Sequence, residues 1–191
     1  VSTSDNPLWE FDDVDNGSIY LSKYETPWGL SPAFWRQQVK DFFLENARMY
    51  FEDYRADGLR FDATRYIEHN TGWDRDGWEF MQYLTYNIRN AYPDKYLIAE
   101  HLPDHDSIVR HAGFTATWFV NSHHEFQRAV NGIDPVNKLK SFLGKDFGYG
   151  HNYPNQWNLV KYLLGCHDDC GDDKKGESIS KNDWEQHRYF V

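Results

Sequence analysis

The stretch Asp57-Gly58-Leu59-Arg60-Phe61-Asp62-Ala63 decides how this chain reads. Asp57-Gly58 interrupts the helical pattern before it, and the residues that follow form a short β-strand pattern. Successive side chains of a strand point to opposite faces. Leu59, Phe61 and Ala63 therefore share one side, and Arg60 and Asp62 share the other. The apolar side suits a core. The polar side ends in a carboxylate with a cation two residues away, an arrangement that favours the ionised aspartate.

Upstream, Ser31-Pro32 fits an N-cap followed by proline at the first helical position. From there Trp35, Val39, Phe42/Phe43, Ala47, Tyr50 and Tyr54 recur at spacings of three and four, one face of an amphipathic helix. Residues 5–30 read as loop-rich, with a candidate strand at Ile19-Tyr20-Leu21. Downstream, a polar loop is expected over Glu68 to Arg75. A second helix is expected over roughly Asp76 to Tyr92, with Pro93 ending it. Lys95 to Glu100 reads as a buried strand closed by a carboxylate. Thr115 to Val120 reads as another strand and Ser122 to Val130 as a helix. Leu159 to Cys166 is a last strand, running into His167-Asp168-Asp169.

Strands alternating with helices imply an α/β fold with a parallel sheet. Asp62, Glu100 and Asp168 all fall at or just past the carboxyl end of an expected strand, the face on which a (β/α)8 barrel builds its chemistry. A full TIM barrel needs about 250 residues. With four clear strands in 191 residues, residues 1–191 read as a fragment of a single (β/α)8 catalytic domain. It would cover about strands three or four to seven and lack the first strands and the last. The chain does not begin with Met, which fits such a piece.

Composition narrows the classes. Thirty acidic against 20 basic side chains give a net charge of −10, and no basic stripe offers a nucleic-acid footprint. Eight Trp, 13 Tyr and 13 Phe are far too many rings for a disordered acidic tail. The mean hydropathy is −0.83 and no apolar run could span a membrane. No signal peptide is visible, so the expected location is cytoplasmic. Two Cys exclude a disulfide scaffold.

Three carboxylates at successive strand ends suit cleavage of a glycosidic bond. One, ionised, attacks or stabilises an oxocarbenium-like transition state, and a second, protonated, donates to the leaving oxygen. Asp62 beside Arg60 fits the first role. Glu100, closing the run Tyr96-Leu97-Ile98-Ala99, is expected in apolar surroundings that fit the second.

Here the residues resemble a family. The heptad from Asp57 to Ala63 looks like the signature strand of the α-amylase superfamily, glycoside hydrolase family 13. Ile98-Ala99-Glu100 looks like its acid-bearing strand, and His167-Asp168 like its final short motif, in the same order. The resemblance implies that Asp62 is the nucleophile, Glu100 the acid/base and Asp168 a transition-state stabiliser. It also implies that Arg60 orients Asp62 and that His167 binds sugar hydroxyls. Retention of configuration implies a nucleophile–acid separation of about 5–5.5 Å. The family's earlier Asn-His motif is absent. Ala99-Glu100-His101, followed by Trp118-Phe119-Val120-Asn121-Ser122-His123-His124, looks most like the branching-enzyme and trehalose-releasing group. The implied partner is an α-1,4-glucan polysaccharide or oligosaccharide, with no metal or other cofactor. α-Amylase is a further reading within the family.

Two other classes compete. A metal-dependent hydrolase on a similar barrel would use Cys166-His167-Asp168-Asp169-Cys170 with His101, His105, His123 and His124, yet no His-x-His or HExxH is present and Cys166-x3-Cys170 lacks a second pair. Asp172-Asp173 with Lys174-Lys175 reads as a solvated loop, and nothing in the sequence supports a structural calcium there. A noncatalytic carbohydrate-binding module would stack exposed rings on sugars. Trp73 and Trp157, in polar loops, are the better platforms, whereas Trp35, Trp78 and Trp118 lie on expected core faces.

Overall fold

In the computed structural model of the chain, residues 19–69, 75–143 and 153–161 are described. The chain divides into two compact units, Val1–Ala116 and Thr117–Val191.

The first unit opens with an antiparallel hairpin, β1 (Leu21–Thr26) and β2 (Gly29–Pro32), with Thr26 opposite Gly29 and Leu21 opposite Pro32. The candidate strand at Ile19-Tyr20-Leu21 thus contributes to a hairpin rather than to a parallel sheet. Ser31-Pro32 ends β2 and caps no helix. Helix α1 starts later, at Gln37, and runs to Glu52. Its core face is also rotated from the expected one. Val39, Ala47 and Phe51 are buried with Phe43 and Leu44 packed beside them, whereas Trp35, Phe42, Tyr50 and Tyr54 are exposed. Phe51, outside the expected set, takes the interior in place of Tyr50 and Tyr54.

Strand β3 (Gly58–Phe61) follows, then a short helix α2 (Thr64–His69), where a loop was expected from Glu68 onward. Helix α3 (Asp76–Ala91) buries Phe80, Met81, Leu84, Thr85 and Ile88, and the spacing of Trp78, Met81, Leu84, Ile88 and Tyr92 in the sequence predicts nearly this face. Asp76 and Glu79 in its first turn and Arg89 in its last suit the helix dipole. Strand β4 (Tyr96–Ala99) pairs parallel with β3, in a register that sets Phe61 opposite Ala99. Gly58 is obligatory at the start of this ladder, because a Cβ there would lie 2.5 Å from the Tyr96 carbonyl oxygen. The core of this unit gathers Phe34, Phe80, Leu84, Ile88, Leu97, Ile108 and Phe114. Each such side chain contributes about 1.5–3 kcal/mol on full burial. Phe34 and Phe43 lie 4.6 and 5.3 Å from Phe80, ring centre to ring centre. Phe61 meets Phe114 edge-on at 5.2 Å, so the apolar side of β3 faces inward as its alternation requires. A single turn, α4 (Ser107–Arg110), precedes the last strand of the unit.

Strand β5 (Ala116–Trp118) leads into the second unit, where Thr117 and Trp118 pair parallel with Leu159 and Val160 of β6 (Leu159–Val160). Helices α5 (Asn121–Val130) and α6 (Pro135–Leu143) pack together through Phe126 and Phe142, 5.6 Å apart, and through Lys138 Nζ to Glu125 Oε2 at 2.8 Å. α6 carried no clear signal in the sequence. Parallel strand pairs with helices between strands make this an α/β fold. Among the described residues, no helix is long and apolar enough to cross a membrane.

Candidate active site

The parallel register of β3 and β4 sets Asp62 and Glu100 at the same level, each one residue past its strand. Arg60 joins them. Its Nη1 lies 2.9 Å from Asp62 Oδ1 and its Nη2 lies 2.8 Å from Glu100 Oε1. The terminal nitrogens of one planar guanidinium are fixed side by side, so these two carboxylate oxygens lie within about 8 Å of each other. Both glycosidase spacings, about 5–5.5 Å for retention and about 6.5–9.5 Å for inversion, reach into that bound.

The two carboxylates differ in setting. The Asp62 side chain is 72% exposed and the Glu100 side chain 14%. The apolar surroundings expected for Glu100 hold for its strand, since Leu97 and Ala99 are buried. They do not hold for its carboxylate. Besides the Arg60 contact, Glu100 Oε2 accepts a hydrogen bond from the Ala63 N–H at 3.0 Å. That donor is aimed by a left-handed backbone, Ala63 having φ +45°. A non-glycine residue there costs on the order of 1–3 kcal/mol and persists only where its surroundings over-determine it. The next residue supplies the restraint, with Thr64 N and Thr64 Oγ1 donating to the Glu100 carbonyl oxygen at 2.9 and 2.8 Å.

Behind this lies a polar cluster that sequence reasoning missed. Thr64 Oγ1 is 3.1 Å from His101 Nδ1, His101 Nε2 is 3.4 Å from Glu68 Oε2, and Arg65 Nη1 donates to the same oxygen at 3.0 Å. Thr64 and His101 are buried. A helical i, i+4 spacing relates Thr64 to Glu68, but no sequence signal links either to His101.

Of the other expected site residues, Trp157 sits on a short 3-10 turn, Gln156–Asn158, and is 65% exposed, as a sugar platform requires. Asp168, His167 and Trp73 lie outside the described residues, as does the run from Cys166 to Cys170. Trp78 packs against the core, while Trp35 is exposed, contrary to the core position expected for it. Trp28 stands at the hairpin tip, edge-on to Tyr66 of α2 at 5.0 Å. Of the histidines considered as ligands, His123 is buried in the first turn of α5, 5.7 Å from the His124 ring. Among the described residues, no three His, Cys, Asp or Glu side chains are grouped to hold a metal ion.

No protein-family model matches the chain. Among curated proteins, it is 25% identical over 210 residues to a 1,4-alpha-glucan branching enzyme of Kitasatospora aureofaciens, an alignment covering 94% of this chain and 26% of that enzyme. It is 27% identical over 118 residues to the malto-oligosyltrehalose trehalohydrolase of Deinococcus radiodurans, covering 60% of this chain and 18% of that enzyme. The chain thus spans about a quarter or less of the length of these relatives. A solved maltogenic alpha-amylase, AmyB from Thermotoga neapolitana, superposes on 80% of this chain and 31% of its own, with a TM-score of 0.48 and 18% identity.

Proposed function

We propose that this chain, a sequence of glycoside hydrolase family 13 (the α-amylase superfamily), carries the nucleophile and the acid/base of a retaining enzyme acting on α-1,4-glucans. The observation that carries the reading is the Arg60 guanidinium, which holds the carboxylates of Asp62 and Glu100 together at neighbouring strand ends. In this reading the strands belong to a (β/α)8 barrel, about strands three or four to seven, whose catalytic face bears both residues.

Asp62, exposed to an incoming sugar, attacks the anomeric carbon. The bond from that carbon to the leaving oxygen breaks, and Glu100 gives its proton to that oxygen. Water or a sugar hydroxyl then attacks the same carbon, Glu100 takes the proton back, and the bond to Asp62 breaks. Two inversions retain the α configuration, and no cofactor enters. Arg60 orients Asp62 through the 2.9 Å contact of its Nη1 with Asp62 Oδ1. Asp168 and His167 would bind hydroxyls of the sugar being transferred, and Trp157 and Trp73 would stack on neighbouring sugar units.

The intermediate is the test. α-Glucosyl fluoride needs no proton for its leaving group, so a Glu100→Gln variant should accumulate a glucosyl ester. Mass spectrometry of the digested protein should find one added glucosyl unit on the peptide that contains Asp62, and Asp62→Asn should abolish it. An adduct on another residue would overturn the assignment. Within the family we favour a branching-type transferase, supported by the extent of the alignment to the Kitasatospora enzyme. New α-1,6 linkages in a treated α-1,4-glucan would bear this out, and free trehalose or only short linear products would point to the trehalose-releasing or amylase alternatives.

A further inference from the structure

We propose that His101 is a positioning residue for Glu100, held as an imidazolium between Thr64 and Glu68. The assignment rests on Glu100 being the acid/base. It begins with a proton inventory. Thr64 Oγ1 lies 2.8 Å from the Glu100 carbonyl oxygen and donates to it, because a carbonyl can only accept. A hydroxyl has one hydrogen, and here it is spent. His101 Nδ1, 3.1 Å from the same Oγ1, therefore faces an acceptor and carries a hydrogen. At the other end of the ring, Nε2 is 3.4 Å from Glu68 Oε2, which Arg65 Nη1 also approaches to 3.0 Å. That oxygen accepts the Arg65 hydrogen bond and so meets Nε2 as an acceptor, and Nε2 carries a hydrogen as well. Both ring nitrogens are protonated, and the ring is a cation.

This ring is enclosed, at 1% exposure, and it directly follows Glu100 in the chain. The Glu100 main chain is fixed on both sides. Its N–H donates to the Phe61 carbonyl at 2.9 Å, and its carbonyl takes the two Thr64 donors. The imidazolium fixes the Thr64 hydroxyl, the hydroxyl fixes the Glu100 carbonyl, and that sets the direction in which the Glu100 side chain leaves the backbone. His101 touches no reacting atom. It acts through Thr64, and its effect falls on the step in which Glu100 delivers a proton.

Two measurements test this. In the first, the ring nitrogens of His101 are read by 15N NMR at neutral pH, assigned with a His101→Gln variant. Both should show the protonated-nitrogen shift, and Glu68→Gln should convert one of them to the unprotonated shift. One unprotonated nitrogen in the unmodified protein overturns the proposal, whatever the protein's activity. In the second, Thr64→Val, which keeps the shape and removes the hydroxyl, is compared with Thr64→Ser, which keeps the hydroxyl. On a glucan, whose leaving oxygen needs the proton, Thr64→Val should lower kcat about 10–100-fold, part of the ~100-fold or more that general acid catalysis supplies. KM should stay within about twofold and Thr64→Ser should recover most of the loss. On α-glucosyl fluoride the first-turnover release of fluoride, which needs no proton from Glu100, should stay within about twofold. Equal losses on both substrates would mean general damage and would overturn the proposal. Failure of the unmodified protein on both substrates would instead overturn the glucan reading, while the nitrogen shifts still decide the charge of His101.

Discussion

Gly77 sits in the first turn of α3, buried against α2. A Cβ added there would lie 1.7 Å from the Ile67 carbonyl oxygen and 2.7 Å from the Ile67 carbonyl carbon. Both atoms are backbone, so no side chain can rotate aside. Restoring an ordinary carbon–oxygen contact requires the two helices to part by about 1.5 Å, and a close-packed interior transmits such a shift rather than absorbing it. Overpacking on this scale costs about 3 kcal/mol, the upper end of the usual range. Alanine returns up to about 1 kcal/mol through its helix propensity. Gly77→Ala should therefore destabilise the chain by about 2 kcal/mol and lower Tm by about 4–8 °C for a protein of this size. Thermal unfolding followed by circular dichroism measures it. An unchanged Tm would refute the close approach of α2 to α3. Because α2 carries Thr64 and Glu68, the same variant should also lose catalytic rate, since a misplacement of about 1 Å can cost about 100-fold.

Arg60→Lys should lower kcat by about 100-fold or more, because a point ammonium cannot span two carboxylates as a fork does; steady-state kinetics on a soluble glucan decide it, and retention of most activity would count against the Arg60 bridge. Burial raises the hydroxyl pKa of Tyr96 above its ordinary value. The folded chain therefore keeps that proton at a pH where the unfolded chain releases it, and stability falls as pH rises past about 10. Tyr96→Phe should flatten the alkaline end of the Tm-versus-pH curve, and an unchanged slope would contradict the shift. Trp157→Ala should leave Tm within about 1 °C, as expected for an exposed position, while weakening glucan binding in affinity electrophoresis; unchanged mobility would remove Trp157 from the sugar-binding surface.

The strands and helices nearest the site were legible in the sequence for identifiable reasons. Leu59, Phe61 and Ala63 alternate strictly with Arg60 and Asp62, and β3 formed where that alternation put it. The helix from Asp76 ended before Pro93, as its missing N–H demands. The hairpin was not legible, because Ser31-Pro32 satisfies a helix-start rule locally while the pairing of Leu21 with Pro32 is made across the chain. On α1 Val39, Phe43 and Ala47 took the interior as their spacing suggested, but Phe51 took the place expected of Tyr50 and Tyr54. The pairing of Arg60 with Asp62 was readable from their shared side of the strand. The pairing of Arg60 with Glu100, 40 positions along, depends on β3 and β4 lying parallel and in register. The contacts that Ala63, Thr64, Glu68 and His101 make around Glu100 escaped notice for the same reason. Their chemistry arises from where the backbone brings them, and none has a spacing that announces it.

The grip on Glu100 comes largely from peptide groups. The Ala63 and Thr64 amides and the Phe61 carbonyl exist whatever side chains those positions bear. Sequence drift at position 63 can therefore proceed without loosening the carboxylate, provided the newcomer accepts the local dihedral angles, whereas position 64 must also keep its hydroxyl. Proline is the replacement that strikes at the grip itself, since at position 63 or 64 it would erase a donor outright. Constraint here is stored in chain geometry, where a comparison of side-chain identities would overlook it.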